Sequence, residues 1–420
     1  MKSYKPLVLW TFCTLFFAFQ FILRLSVGIL REDIIQRFAI DTAAFGTLAG
    51  YYYLGYAGMQ IPLGIMLDRF NFKNVTFLSI VITSIGTLAF VVSKDWHVLL
   101  AARFIIGAGS AIGILSVAKV IKTYFAPEKH SLMIGFSFTF GLTGAVFGVT
   151  PMKLIFNHFG YDNTFYGLAL VGIAIGFAIL MMNFTAIEPY EDQPNSSSNF
   201  KQILKFLCNP MILLVGLFSG LMVGSLEGFG DVWAISFFKV AYNMNSLDSN
   251  LATSCIYLGM CFGGPVLAVL ADFFKSTNSI ILLTGLFMTI IFIILLTVPS
   301  LSFLATSVIM FLLGIFCCYQ VLILSITNRI VEKSMAGLAI ATVNCINMSF
   351  GHFFHKAMSI FIEYRWDGTT ENGLPIYIRQ NYFDAIICIP ICCLIGTGGF
   401  IWLSKKLKSK DSFVNSSLAK

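Results

Sequence analysis

The stretch Gly64-Ile65-Met66-Leu67-Asp68-Arg69-Phe70-Asn71-Phe72-Lys73 sits between two long apolar runs, 43–66 and 75–93. A run of about 20 apolar residues is what a helix needs to cross the hydrocarbon core of a bilayer. The decapeptide therefore reads as a tight polar loop between two membrane-crossing helices. Working outward from it, the same alternation recurs along the whole chain. Twelve helices are predicted, at 7–30, 43–66, 75–93, 97–123, 131–157, 163–187, 210–238, 250–271, 278–298, 302–328, 335–361 and 383–404. Composition agrees. Of 420 residues, 57% are hydrophobic and only 11% charged, with a mean hydropathy of +0.85, whereas soluble proteins carry about 25% charged residues. So few charges cannot cover a water-facing surface. Soluble enzymes, disordered regulators and secreted disulfide scaffolds are excluded.

The one long polar interruption runs from Glu188 to Lys205 and is rich in Pro, Ser and Asn, as a flexible linker is. It divides the chain into an N-terminal six-helix bundle (1–187), a linker (188–208) and a C-terminal six-helix bundle with a short basic tail (209–420). With the N-terminus inside, the inner segments hold 16 Lys and Arg and the outer segments 7. That bias places both termini in the cytoplasm, and it accounts for the net charge of +7 without nucleic-acid binding. Nine of the ten cysteines lie in apolar runs. They read as small membrane hydrophobes, neither disulfides nor metal ligands. The first apolar run is too long for a signal peptide and contains Arg24, so it is the first span. Short loops and the lack of a targeting extension point to a bacterial cytoplasmic (inner) membrane. A monomer is expected to suffice.

The two halves repeat each other. Tyr53-Leu54-Gly55 and Asp68 recur as Tyr257-Leu258-Gly259 and Asp272, each displaced by 204 residues. The repeat falls on the second helix of each half, with a carboxylate at the same membrane face. Internal duplication is a mark of secondary transporters, in which two bundles rock about a midplane site.

The decapeptide resembles the loop signature of the major facilitator superfamily, G-x-x-x-D-R-x-G-R-K. The resemblance implies a gate in which Gly64 permits close helix approach, Asp68 caps and pairs at a helix end, and Arg69 and Lys73 act electrostatically. Asn71 replaces the usual glycine and also tolerates left-handed angles. Asp272 keeps a remnant of the signature in the second half. Arg103-Phe104-Ile105-Ile106-Gly107-Ala108-Gly109 is similar to the superfamily's R-x-x-x-G-x-G, adding Arg103, Gly107 and Gly109 to the gating set. Gly141, Gly144 and Gly148 line one face of the fifth span and suit tight packing. The pattern around Arg24, Asp41, Tyr53-Leu54-Gly55-Tyr56 and Gln60-Ile61-Pro62 resembles two branches of the superfamily: amino-acid carriers of bacteria that live inside host cells, and lysosomal dipeptide carriers.

Function should lie where polar groups are buried despite their cost. Gln20 and Arg24 share a face of the first span, and Glu227 and Asp231 share a face of the seventh. In the family this chain resembles, those two helices are symmetry mates lining the central cavity. One reading is a polar clamp: Arg24 takes a substrate carboxylate, and Glu227 or Asp231 takes an ammonium or a proton. The other is a structural ion pair. Asp231, near the outer helix end, is expected to be the more exposed carboxylate. Tyr53, Gln320, Asn344 and Asn347 complete the substrate set, and His352 joins Glu227 and Asp231 as a proton-coupling candidate. Of Tyr51, Tyr52, Tyr53 and Tyr56, at least one should face the cavity and one lipid.

No phosphate-binding loop and no hydrolase constellation is present, so no enzyme activity, cofactor or metal is expected. The preferred function is proton-coupled import of a small zwitterionic solute, an amino acid or short peptide. The alternatives are an organic-anion carrier and a non-transporting receptor or assembly factor on the same fold.

Overall fold

The computed structural model describes residues 4–182, 207–331, 336–371 and 374–418. Nearly all of the expected linker lies outside the described residues. The first half of the chain folds as α1 (Lys5–Ile29), α2 (Arg31–Phe38), α3 (Thr42–Arg69), α4 (Phe72–Val92), α5 (Trp96–Ser110), α6 (Ile112–Tyr124), α7 (Pro127–Phe147), α8 (Thr150–Phe159) and α9 (Tyr161–Met181). The second half contains α10 (Pro210–Met222), α11 (Ala234–Ala241), α12 (Ser246–Phe273), α13 (Thr277–Thr297), α14 (Phe303–Cys317), α15 (Tyr319–Arg329), α16 (Ala336–Tyr364), α17 (Arg379–Ile386) and α18 (Cys388–Leu418). Among the described residues, 10 helical segments are long and apolar enough to cross a membrane. The helices α3 and α16 are as long but more polar, and they turn out to carry much of the site.

Local chemistry explains where the helices start. Asp41, Asp95 and Asn209 cap α3, α5 and α10 by accepting backbone N–H bonds. Asn71 caps α4 in the same way, with φ −58°, so its tolerance of left-handed angles is not used. Two features depart from the sequence reading. Residues 31–38 form a short helix: Glu32 and Asp33 in its first turn and Arg37 in its last complement the helix dipole. Between α16 and α17 a small antiparallel hairpin, β1 (Thr370–Glu371) and β2 (Leu374–Pro375), interrupts the otherwise helical chain.

Within the first half α4 packs on α5 and α9, α3 on α5, and α1 on α6 and α7. Gly141, Gly144 and Gly148 of α7 face Phe17, Ala18 and Ile22 of α1, as a glycine-lined packing face should. In the second half α12 packs on α14, α13 on α18, and α10 on α16 and α18. Gly216, Gly220, Gly224 and Gly228 stand at four-residue intervals and receive Ile346, Phe350 and Phe354 of α16, so a β carbon there would collide with those side chains. The halves meet along two seams, α3 with α16 and α7 with α12.

Candidate functional site

Regular α-helix stops at Met222 because the chain passes through a 3-10 turn (Val223–Ser225) into a π-helix, Leu226–Trp233. Such turns gather at functional sites. Glu227 and Asp231, four residues apart on one face of the π-helix, both reach Arg24 of α1. The guanidinium forms an ion pair with Glu227 and donates from Nε to Asp231 at 2.6 Å. The tyrosine hydroxyls of Tyr53 and Tyr257 (2.7 Å) donate to the two oxygens of Asp231. These are the two tyrosines of the Tyr-Leu-Gly repeat, one from each half.

Arg103 completes the arrangement without touching a carboxylate. It donates to the backbone carbonyls of Leu23 (2.8 Å) and Arg24 (2.7 Å), and its guanidinium lies 4.7 Å from the centroid of Tyr52. Tyr52 in turn donates to Gln20 at 2.5 Å. Arg24, Arg103, Glu227 and Asp231 are all at least nine-tenths buried. Formally the two guanidiniums balance the two carboxylates. A buried cluster of this kind is stabilised only while every charge keeps its partner.

A cavity of about 310 Å³ opens beside the cluster. Arg24, Gln20, Tyr56, Gln60, Glu227, Gln320 and Asn344 line it, among a larger number of apolar side chains. Asp231, Tyr53 and Tyr257 do not line it. Asp231 is thus the anchored carboxylate and Glu227 the one facing the cavity. The cavity shares Phe138, Leu142, Met260 and Gln320 with a gap of about 720 Å³ between α7 and α12.

Beyond the cluster, away from the cavity, the two halves are closed on one another. Gly28 lies so near the Asp231 carbonyl that a β carbon would collide with it. Lys239 pairs with Glu32 at 3.0 Å, and the Thr42 and Tyr377 hydroxyls are hydrogen-bonded at 2.7 Å. At the other end the gate residues of the sequence reading are separated. Asp68 pairs with Lys119 at 2.7 Å, inside the first half. Arg69 ends α3, Lys73 is the second residue of α4, and Asp272 sits exposed at the end of α12 without an ion pair among the described residues. Gly64 has nothing within 4 Å of where a β carbon would stand, so the expected close approach is not made here. Gly107 and Gly109, by contrast, press on the backbones of Tyr52 and Ser79.

One further expectation needs correction, and the other site residues take definite places. Asp231 is buried because the helical segment continues to Ala241 and the π-turn directs the carboxylate inward. Of the four tyrosines of α3, Tyr56 lines the cavity, Tyr52 and Tyr53 are buried, and Tyr51 is half-buried, 6.2 Å from the His352 ring. Asn347 is buried off the cavity, and His352 lies on the α3–α16 seam against Gly50. Sequence reasoning passed over Tyr257 as a site residue, although the repeat that contains it was the available signal. Tyr56 was one of the four tyrosines of which at least one was expected at the cavity, and Gln60 entered only through the resemblance to two branches of the superfamily.

Relatives agree with this architecture. A structure of a bacterial homologue of the human lysosomal transporter Spinster, in an inward-facing and occupied conformation, is 15% identical with a TM-score of 0.74, covering 96% of this chain and 98% of that one. The uncharacterized transporter YybO of Bacillus subtilis is 24% identical over 264 residues, 57% of this chain and 60% of its own length. The methyl viologen resistance protein SmvA of Salmonella typhimurium is 28% identical over 191 residues, 44% of this chain and 36% of its own. The match thus spans 60% or less of each of these two curated relatives. The family model of the Major Facilitator Superfamily matches residues 10–354, and the chain belongs to that superfamily, a multi-pass integral membrane protein by its apolar helices.

Proposed function

We propose that this transporter moves a small zwitterionic solute, an amino acid or short peptide, by alternating access between two six-helix bundles, 1–187 and 209–420. The twelve spans are the ten apolar segments plus α3 and α16. With 16 Lys and Arg on one face and 7 on the other, the termini are cytoplasmic, the closed end is external and the cavity faces inward. A bacterial cytoplasmic membrane fits the short loops, and one chain contains the whole pathway.

The observation that carries the substrate reading is the pairing of Arg24 with Glu227 at the cavity wall, while Asp231 is held from behind by two tyrosines. A zwitterion can exchange with that pair, carboxylate to Arg24 and ammonium to Glu227, leaving no unpaired buried charge. Asp231 and Arg103 keep the remaining charges balanced during the exchange. An anion would lack the second half of the exchange and would need an accompanying proton, for which Glu227 is the available carrier.

Concentrative uptake into proteoliposomes tests this. Labelled amino acids, dipeptides and monocarboxylates should be presented with and without a pH gradient. Zwitterions should accumulate, and Arg24→Lys should raise KM because lysine loses the planar two-donor fork. Glu227→Gln should abolish accumulation and keep downhill exchange. Uptake of monocarboxylates alone would favour the organic-anion reading. No uptake of any class would favour the receptor reading. An Arg24→Gln, Glu227→Gln double variant with unchanged KM would reduce the pair to a structural one.

A further inference from the structure

At the closed end a small polar cleft of about 100 Å³ lies between the halves. From the first half come Gly28, Arg31, Glu32 and Lys153, and from the second Ser236, Lys239, Ser246 and Asn250. Two of the three cations there are already paired: Lys239 with Glu32 at 3.0 Å and Lys153 with Asp33 at 3.4 Å. Among the described residues Arg31 has no such partner. It is more than nine-tenths buried, stacked between the rings of Trp233 and Tyr377 at 5.6 and 5.7 Å. One terminal nitrogen donates to Thr42 at 2.9 Å, and Nε has no partner among the described residues. The carboxylate of Glu363 reaches it only through two hydroxyls, those of Tyr377 and Thr42. A buried guanidinium without a carboxylate is expensive, and here it borders a cleft large enough for a few atoms.

We infer that this cleft is a binding site for a small monovalent anion, of the size of chloride or a carboxylate group, which bridges Arg31 to the second half and holds this end of the transporter shut. The cleft exists only while the halves touch, since its walls belong to both. A ligand that binds only the closed arrangement must stabilise it, by a factor of one plus the ratio of its concentration to its Kd. The anion is therefore a brake on opening at this face, separate from the solute cavity on the other side of Gly28. This rests on the alternating-access reading given above, but it needs no transported solute for its test.

The test is a distance-sensitive label pair placed across the closed end of the full chain in nanodiscs, with chloride exchanged for gluconate, which is too large for the cleft, at constant ionic strength. Chloride at about nine times its Kd should lower the open-to-closed ratio about tenfold. Arg31→Gln should remove the chloride dependence. Ser236→Asp supplies a tethered carboxylate to the same cleft and should keep the end shut in both salts, which guards against a merely unfolded Arg31 variant. A solute carboxylate acting as the source would compete with chloride for the closed form at this face, and would still do so in Glu227→Gln. Equal opening in chloride and gluconate for the unaltered protein overturns the inference. So does a Ser236→Asp variant that still responds to chloride. No opening in either salt would sink alternating access itself, and the brake with it.

Discussion

The two ends of this molecule are built on different principles. At the closed end a set of polar contacts crosses between the halves: Arg24 to Glu227 and Asp231, Tyr53 to Asp231, Glu32 to Lys239, Thr42 to Tyr377. At the open end the ion pair of Asp68 with Lys119 stays within the first half, and Gly64 of α3 and Gly337 of α16 have no neighbour within 4 Å of a β carbon. The difference teaches where the free energy of this conformation resides. Contacts that cross the halves select a state, whereas contacts inside one half travel with it and select nothing directly.

If that is right, the largest effect should come from Asp231, the hub of the crossing contacts. Asp231→Asn leaves two tyrosine hydroxyls and Arg24 short of an acceptor charge, and breaking one side of a buried pair costs about 3–5 kcal/mol. Uptake in proteoliposomes should fall by about 100-fold or more, and the thermal midpoint of the purified protein should drop. An Asp231→Asn variant with more than about a tenth of normal uptake would mean that Glu227 alone secures the end.

Gly28→Leu comes next. The added side chain meets the Asp231 backbone, which cannot move aside cheaply, and overpacking of this kind costs about 1–3 kcal/mol. The penalty falls only on the closed arrangement. Uptake should fall about tenfold while thiol reagents gain access to a cysteine placed beyond Gly28. The mirror test is Gly64→Leu, which fills open space in this conformation. It should leave solute binding intact and still slow transport, because the opposite arrangement must close over it. Normal transport by Gly64→Leu would show that the glycine serves neither state.

How much of this was legible in the chain depends on the scale of the signal. Apolar runs and polar breaks located the spans, because hydrocarbon thickness imposes length on every one of them. The Arg24–Glu227 proximity was legible through the repeat, since symmetry-related helices arrive at the same depth. The role of Asp231 was not legible. Ideal helix geometry put it near an exposed end, and a π-turn inserted over Leu226–Trp233 carries no composition signal beyond Gly228 and Gly230. The Tyr-Leu-Gly repeat was visible as symmetry, but that both tyrosines converge on one carboxylate is a property of packing. The loop signature at Gly64–Lys73 was informative about family and misleading about contacts, because its glycine is unpacked in this conformation.

Asp68→Asn sharpens the comparison at the open end. The pair with Lys119 is largely exposed, with 72% of the Asp68 side chain accessible, so its worth is about 0.2–1 kcal/mol. The expected outcome is a roughly two- to fivefold slower interconversion, read from single-turnover uptake, with solute affinity unchanged. A change in affinity would place Asp68 in contact with the cavity, contrary to its position at the end of α3.

The smallest effect should come from Glu32, which sits in the short helix α2 and not in a long apolar segment. Burial by itself would raise its carboxyl, but the Lys239 ammonium at 3.0 Å, with Arg31 and Lys153, more than offsets this and holds it below the ordinary glutamate value. The sign follows from linkage. A carboxylate whose value is lowered in the closed form stabilises that form above its ordinary value, and the contribution is lost as pH falls through the lowered one. Acidifying the closed face should therefore favour opening there. Because 57% of the Glu32 side chain is accessible, solvent and salt screen the pair, and its contribution is about 0.2–1 kcal/mol. Glu32→Gln should raise the open fraction at neutral pH about twofold and flatten its acid dependence, and high salt should produce the same change in the unaltered protein. A rise of about tenfold would be too large for an exposed pair. It would mean that Glu32 holds the end shut through Arg31 and the cleft beside it, and the contrast between crossing contacts and local ones would then have to be redrawn around α2.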